Sequence, residues 1–246
     1  MKIAILVPTR ERMNNRLTLL FSILTTADNL NNIKIYYGVD TDDPTLETIK
    51  KVANGVTCLE VVEYEKFDKF PGLGKLWNIL VDRSSEEIIS MIGDDMVFKT
   101  KGWDTMLLEE FKKLPADEIK AVHCNDDYHG AKLAVNLFCH RTYAKVLGKF
   151  MREEFMINWV DQWLHQMFSA FNRLIYRPDI MIEHRHWILG KTQRDNTVDR
   201  MQKADVNKIS DHLWSDLVDE RISDAKKLSN YLKMEPDWDK VDTNRK

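Results

Sequence analysis

The chain has 246 residues, of which 43% are hydrophobic and 30% are charged, with nine glycines and six prolines. This balance excludes a disordered or fibrous protein and suits one large domain or two small ones. The formal net charge of −3 excludes a strongly basic scaffold. No apolar run approaches the ~18 residues of a membrane helix. Arg10 and Glu11 come too early for a signal peptide, so we expect a cytoplasmic protein that does not bind membranes.

The first hundred residues alternate between strand and helix patterns. Short apolar runs predict buried strands, and apolar residues at spacings of three and four predict amphipathic helices. Asp43 and Pro44 look like an N-cap followed by proline at the first helical position. The predicted strands are 3–7, 33–39, 57–62 and 88–92, and the predicted helices are 17–24, 43–53 and 76–83.

The second half mixes shorter elements and ends in a charged helical region. Residues 203–232 have a helical pattern with few apolar contacts, and residues 235–246 have too little apolar content to pack, so we expect them to fray. The predicted helices are 103–114, 141–147 and 158–171, and the predicted strands are 121–125, 133–139 and 174–182.

Strands that alternate with helices favour an α/β fold with a largely parallel sheet. Such sheets bind ligands at the carboxyl ends of their strands. This rule places residues 8–12, 40–43 and 93–96 in one neighbourhood, although they are far apart in the sequence.

Asp94 and Asp95 form the sharpest local signal. Hard divalent cations take one or two carboxylates together with substrate phosphates and water. A carboxylate pair at the mouth of a buried strand therefore suits a metal–nucleotide site. An ordinary acidic turn would have the same two residues.

Motifs around this pair occur in an order typical of one enzyme family. The segment 88–98, followed by Gly102, Trp103 and Asp104, resembles the aspartate-motif region of GT-A-fold glycosyltransferases, particularly family-2-like enzymes. Further similar blocks are 7–10 (first nucleotide-binding loop), 38–40 (acidic strand end), 74–78 (basic residue and Asn), 136–141 (acceptor side) and 159–161 (catalytic acid). The resemblance covers about residues 3–187. It implies a GT-A-like, Rossmann-type mixed and mainly parallel sheet flanked by helices, with a helical C-terminal extension.

The resemblance also implies an activity, a cofactor and site residues. The activity is sugar transfer from a nucleotide-diphosphate sugar, most simply a UDP-sugar, to an acceptor hydroxyl, with Mn²⁺ or Mg²⁺ as cofactor. Asp95 would contact the metal together with His184 or His186, and Asp94 would contact the ribose or a metal-bound water. The implied donor-binding residues are Pro8, Thr9, Arg10, Arg12, Asp40, Lys75, Asn78 and Asp94, with Thr9 and Asp40 on the nucleobase side.

Two positions depart from the family pattern. Gly93 replaces the first acid of the aspartate motif, and Val160 stands where a glutamate usually precedes the catalytic aspartate. These departures keep open a non-catalytic nucleotide- or sugar-binding module. A nucleotidyltransferase is a further alternative, but the loop 8–12 contains none of the glycines of a phosphate-binding loop.

Asp161 is the candidate catalytic residue. It can act as a general base that takes the proton of the acceptor hydroxyl during attack on the anomeric carbon. One base and one metal need no protein nucleophile, which implies inversion at that carbon. Near the start of a predicted helix, the same carboxylate could instead stabilise the helix dipole.

Histidine and tryptophan side chains complete the set of candidates. His184 and His186 alternate along a strand end, so we expect only one of them, preferably His184, to face the site. We expect Trp103 and Trp163 to be core residues, whereas Trp159 could stack on a sugar or acceptor. The polar segment 191–197 could close over the nucleotide as a lid.

The predicted organisation is a catalytic domain at 1–190, with a nucleotide-binding half at 1–100 and an acceptor half at 101–190. The helical extension at 191–246 would pack on the same domain. The acceptor is not encoded in any motif. A soluble acceptor is favoured over a lipid carrier, and DNA stays open because related compact enzymes modify hydroxymethylated bases in phage DNA.

Overall fold

Eight strands form one mixed sheet in the computed structural model, which describes residues 1–65, 67–204 and 209–241. They are β1 (Ile3–Thr9), β2 (Ile33–Asp40), β3 (Leu59–Tyr64), β4 (Ile88–Met91), β5 (Met96–Phe98), β6 (Ala121–Asn125), β7 (Leu137–His140) and β8 (Leu174–His184). Their order in the sheet is β3-β2-β1-β4-β7-β6-β8-β5.

Most of these strands run in one direction. The pairs β1–β2, β2–β3, β1–β4 and β6–β8 are parallel, whereas β7 is antiparallel to β4 and β6, and β5 is antiparallel to β8. Six of the eight strands within the described ranges therefore end at the same edge of the sheet. The predicted mixed, mainly parallel α/β sheet is confirmed.

Helices cover both faces of the sheet, which explains the continuous apolar run in β1. Ala4 and Leu6 pack into one buried cluster, and Ile3, Ile5 and Val7 pack into the other. None of the described helices has the length and apolar content to cross a membrane. The helices are α1 (Met13–Thr26), α2 (Leu46–Asn54), α3 (Leu73–Arg83), α4 (Trp103–Phe111), α5 (Thr142–Leu147), α6 (Val160–Ala170), α7 (Asn196–Ala204), α8 (Ile209–Asp216), α9 (Val218–Leu232) and α10 (Trp238–Val241).

The predicted N-cap at Asp43 is wrong, because α2 begins three residues later, at Leu46. The Asp43 carboxylate accepts hydrogen bonds from the Thr45 amide at 2.7 Å and from the buried Arg16 guanidinium at 2.5 Å. The Asp43 carboxylate therefore stabilises the turn before α2 and holds α1 against that turn.

Two further boundaries differ from the sequence prediction. The short strand β5 directly follows the Asp94–Asp95 turn and pairs with β8, so it depends on a distant segment. The predicted strand 133–139 begins only at Leu137, where pairing with β4 and β6 starts.

The expectation that residues 235–246 fray is wrong for the part that the structure describes. α10 packs against α6, and Val241 is fully buried. The Asp237 amide donates to the carbonyl oxygen of Ala170 at 2.8 Å, which ties this segment to the end of α6. Residues 242–246 lie outside the described part of the chain.

Candidate active site

A cavity of about 500 Å³ lies at the carboxyl ends of the strands. Thr9, at the end of β1, donates its hydroxyl hydrogen to Asp94 at 2.6 Å, and Arg10 reaches Asp40, at the end of β2, at 2.7 Å. The predicted meeting of the three strand-end segments is confirmed. Of the candidate residues, the cavity brings together Pro8, Thr9, Arg10, Arg12, Asp40, Asp94, Asp95, Asp161, His184 and His186.

Asp94 is buried and bonded through both of its carboxylate oxygens. Thr9 Oγ1 donates to Oδ2, and Arg12 Nη1 donates to Oδ1 at 2.8 Å. Burial raises the pKa of Asp94, although the charge of Arg12 acts in the opposite direction. Arg12 also forms two hydrogen bonds to Asp195, at 2.7 and 3.0 Å. A guanidinium, which stays charged at any physiological pH, therefore lies between two carboxylates here.

A second group of charges surrounds Asp40. The Arg10 guanidinium donates to Asp40 and Asp42, and Nη1 of Arg200, from α7, lies 3.3 Å from Oδ2 of Asp40. The Arg200 guanidinium also lies 5.5 Å from the centre of the Phe70 ring, within the range of cation–π contacts. This side of the cavity thus combines an acid with a flat aromatic and guanidinium surface.

Asp95 contacts a histidine instead of an arginine. Its Oδ2 lies 3.4 Å from Nε2 of His184, which is the last residue of β8. Burial raises the pKa of Asp95, but the contact with His184 outweighs that effect and lowers the pKa overall. The same contact raises the pKa of His184 against the effect of its burial. A carboxylate and an imidazole therefore stand side by side in the cavity.

The expectation that His184 and His186 face opposite sides is wrong. Both line the cavity, and their ring centres are 5.1 Å apart. β8 ends at His184, so the alternation of strand side chains no longer applies two residues later. Nδ1 of His186 accepts a hydrogen bond from the Ile188 amide at 3.2 Å, which fixes this ring at the start of the next turn.

Asp161 is the second residue of α6 and lines the cavity. Burial raises its pKa, although its Oδ1 accepts the Gln162 amide at 2.9 Å. Trp159, just before the helix, has a φ of 77°, which is rare for a bulky residue. Its ring stacks on Trp214 of α8 at 4.8 Å, and its indole nitrogen donates to Asp211 at 2.7 Å. α8 thus fixes the backbone turn that positions Asp161.

The loop after β6 adds two residues that sequence reasoning missed. Oδ1 of Asp126 accepts backbone amides including those of His129 at 2.9 Å and Gly130 at 2.8 Å, and Oδ2 lies 3.0 Å from Nδ1 of His129. His129 lines the cavity. The signal was available: β6 runs in the same direction as β1, so the strand-end rule also applies to Asp126.

Solved glycosyltransferase structures share this architecture. TarS 1-349 from S. aureus in complex with UDP-GlcNAc matches with a TM-score of 0.60 at 16% identity, over 94% of this chain and 67% of that chain. The mannosyltransferase PcManGT from Pyrobaculum calidifontis, in complex with GDP-Man and Mn²⁺, matches with a TM-score of 0.59 at 12% identity, over 94% and 73%. GalNAc-T7 with UDP, GalNAc and Mn²⁺ has a TM-score of 0.59 at 9% identity, over 74% and 43%.

This chain has a GT-A-type fold. The resemblance inferred from the motif order is thereby confirmed for the fold. No family model matches the sequence, and neither does any curated protein sequence. The chain spans 59% of the UDP-bound TarS 1-349 structure and 36% of the longer TarS structure.

Lys75 and Asn78, which the GT-A resemblance places at the donor, lie outside the cavity lining. Lys75 Nζ lies 5.8 Å from the centre of the Phe67 ring. Asn78 is buried, where its amide nitrogen donates to the Met151 carbonyl and its oxygen accepts the Met151 amide, each at 2.9 Å. Asn78 therefore joins α3 to the loop before α6 because its hydrogen-bonding groups face that loop, and the cavity geometry brings neither residue to the other candidate donor-binding residues.

Three tryptophans and the polar segment occupy different parts of the GT-A fold. Trp103 and Trp163 are core residues, as expected, and Trp159 lines the cavity. In the segment 191–197, Asp195 pairs with Arg12, and Thr197 donates to the Arg10 carbonyl oxygen at 2.8 Å. The segment therefore contacts the loop after β1, and its closure as a lid stays a prediction.

Proposed function

We propose that the chain is a metal-dependent, inverting glycosyltransferase that uses a nucleotide-diphosphate sugar, specifically a UDP-sugar. The observation that carries the proposal is that one cavity of a GT-A-type fold gathers arginines, an Asp–His pair and the half-buried carboxylate of Asp161. UDP, UDP-GlcNAc and GDP-Man are the nucleotide ligands named in the matching TarS and PcManGT structures, which supports a donor of this class.

The donor would lie across the strand ends. Arg10 and Arg200 both approach Oδ2 of Asp40, which leaves Oδ1 to accept the imide hydrogen of uracil. Arg12 lines the cavity, where its guanidinium can donate to a diphosphate oxygen that takes the place of one of its carboxylate partners, Asp94 or Asp195. The cavity of about 500 Å³ is within the usual size range of ligand pockets.

The residues present fit a divalent cation. His184 offers an imidazole as a ligand, and the Asp95 carboxylate lies 3.4 Å from it and can orient the ring, which suits Mn²⁺ as well as other transition metals. His186, the alternative ligand predicted from the sequence, lines the same wall. The chemistry that a bound cation supplies is neutralisation of the charge that develops on the leaving diphosphate. PcManGT and GalNAc-T7 both have Mn²⁺ in their structures, which supports this cofactor.

Asp161 would act as the base. Its buried position raises its pKa, which makes the carboxylate a better proton acceptor, and it lies on the cavity wall with His184. It would take the proton of the acceptor hydroxyl as the oxygen attacks the anomeric carbon from the face opposite the leaving diphosphate. A single displacement of this kind inverts the configuration.

The proposal also assigns a function to each part of the chain. Residues 1–100 would bind the donor and residues 101–190 the acceptor, with 191–246 as an extension of the same unit. α7 of that extension contributes Thr197 and Arg200 to the cavity, and α8 holds Trp159.

The experiment is a UDP-release assay with a panel of sugar nucleotides, with Mn²⁺, Mg²⁺ or chelator, followed by mass spectrometry of the acceptors. The acceptors include small sugars and DNA with hydroxymethylated bases, the class suggested by the resemblance. Metal-stimulated release with a new glycoside of inverted configuration is expected. Binding of UDP without release in any mixture would instead indicate a binding module, and diphosphate release from a nucleoside triphosphate would indicate a nucleotidyltransferase.

A further inference from the structure

The loop after β6 brings two potential metal ligands to His184. One ligand atom each from Asp126, His129 and His184 lies within 4.8 Å of the other two. Ligand atoms that share one cation at about 2.1 Å lie roughly 3–3.5 Å apart, so modest side-chain rotations would close the group around an ion. Oδ2 of Asp126 and Nδ1 of His129 are already 3.0 Å apart.

His184 has the orientation that metal-binding histidines usually have. Its Nε2 faces the Asp95 carboxylate, and its Nδ1 is buried without a hydrogen-bond partner among the described residues. A ligating histidine commonly directs its other ring nitrogen to a carboxylate, which fixes the ring and its tautomer. Asp95 can therefore orient His184 and leave Nδ1 as the ligand.

The carboxylate of Asp94, which precedes Asp95 in the chain, is not available as a metal ligand. Asp94 uses Oδ2 for Thr9 and Oδ1 for Arg12, so its charge is already compensated by a guanidinium. Gly93 supplies no acid at the position before it. Asp126 and His129 are the groups near His184 that could complete a cation site.

We propose that Asp126, His129 and His184 form a binding site for a divalent transition-metal ion, with Asp95 as the residue that positions His184. Two imidazoles and one carboxylate favour Mn²⁺, Fe²⁺, Co²⁺ or Zn²⁺ over Mg²⁺, which prefers oxygen ligands. Its catalytic role rests on the proposed transferase function, whereas cation binding itself is independent of any donor. His186 is outside this ligand set.

The test is titration of the metal-stripped full chain with Mn²⁺ alone, followed by electron paramagnetic resonance. His129→Gln and Asp126→Asn are each expected to weaken Mn²⁺ binding by about 10-fold or more, and His186→Gln by less than about threefold. His165→Gln is a matched control, because its ring lies outside the group and Nδ1 is also unpartnered in the described chain. Asp126→Asn retains the oxygen that accepts the loop amides, so the loop should persist.

The hyperfine couplings between bound Mn²⁺ and histidine nitrogens count the histidine ligands. A substitution of His129 would leave these couplings unchanged if His129 had only a structural role. Pulsed electron paramagnetic resonance should detect two coordinated histidine nitrogens in the unmodified chain and one in His129→Gln. Absence of Mn²⁺ binding in the unmodified chain, unaltered couplings in His129→Gln, or a larger loss in His186→Gln than in His129→Gln would each overturn this site. Failure of the transferase proposal would instead appear as absence of sugar transfer while Mn²⁺ binding and its dependence on His129 persist.

Discussion

Two neighbouring acids in one turn have opposite surroundings. Asp94 is held by Arg12, whose guanidinium also binds Asp195 from a segment far along the chain. Asp95 is held by His184, beside which lie Asp126 and His129. The first region contains a guanidinium whose charge is fixed, and the second contains groups that bind protons or metal ions.

This difference indicates how one cavity can serve two needs. A guanidinium cannot lose its proton, so Arg12 keeps a constant set of N–H donors that can bind a carboxylate or a phosphate oxygen. An imidazole–carboxylate group can exchange a proton for a metal ion, so the charge of the His184 region depends on its ligand. Substitutions in the Arg12 region and in the His184 region should therefore differ in their effect on Mn²⁺ affinity.

The largest effect is expected at Asp161. Asp161→Asn keeps the size of the side chain but cannot accept a proton, so turnover should fall by ~10²–10⁴-fold. Binding of the sugar nucleotide should change little, because a base acts mainly in the transition state. Steady-state rates and calorimetric titration with UDP measure the two quantities.

Asp219→Asn is the matched control for that change. Asp219 is an exposed acid in the first turn of α9. Loss of a helix-start charge costs up to ~1 kcal/mol of stability and should leave turnover intact. If Asp161→Asn behaves in the same way, its carboxylate only supports the helix, and the argument for inversion is lost as well.

The next largest effect distinguishes the region around Asp95 and His184 from the region around Asp94 and Arg12. Asp95→Asn removes the carboxylate that faces His184, so Mn²⁺ affinity should fall by about 10–100-fold. Asp94→Asn should lower the free energy of unfolding by about 1–3 kcal/mol, because it weakens a buried hydrogen-bonded pair, and should leave Mn²⁺ affinity within about threefold. Mn²⁺ titration and chemical denaturation of both variants check this contrast, and equal losses of Mn²⁺ affinity would contradict it.

Asp40→Ala tests the nucleobase side. Loss of the carboxylate should weaken UDP binding by about 1–3 kcal/mol, the cost of a missing hydrogen bond to a charged group. Mn²⁺ affinity without nucleotide should not change, because Asp40 contacts Arg10 and Arg200 and not the histidines. Calorimetry with UDP measures the change, and full retention of UDP affinity would move the base-binding surface elsewhere.

The smallest effect is expected at Lys75. The side chain is exposed, packs over Phe67 and lies outside the cavity lining, so Lys75→Met should change UDP affinity by less than about twofold. Arg12→Met is the comparison, because its guanidinium lies inside the cavity. If Lys75→Met weakens UDP binding as much as Arg12→Met does, Lys75 reaches the donor after binding.

The sequence predicted most of this site because the strand-end rule needs only local patterns. Apolar runs identified β1, β2 and β4, and the polar residues that follow them meet as expected. Asp126 and His129 follow β6 and were not predicted, although β6 ends at the same edge of the sheet. Lys75 and Asn78 were assigned from motif order, which does not tell on which side of α3 a side chain lies.

By itself, the sequence determined the periodicity of the elements, the α/β class and the acids at the strand ends, because burial patterns are local. Motif order already placed Asp95 near His184 or His186, but only the tertiary structure decided the direct partner of each acid. Arg12 meets Asp195 across 183 positions of sequence, and Asp95 meets His184 because β5 pairs with β8. These partners follow from the order of the strands in the sheet, which brings distant segments together through packing that no local pattern encodes.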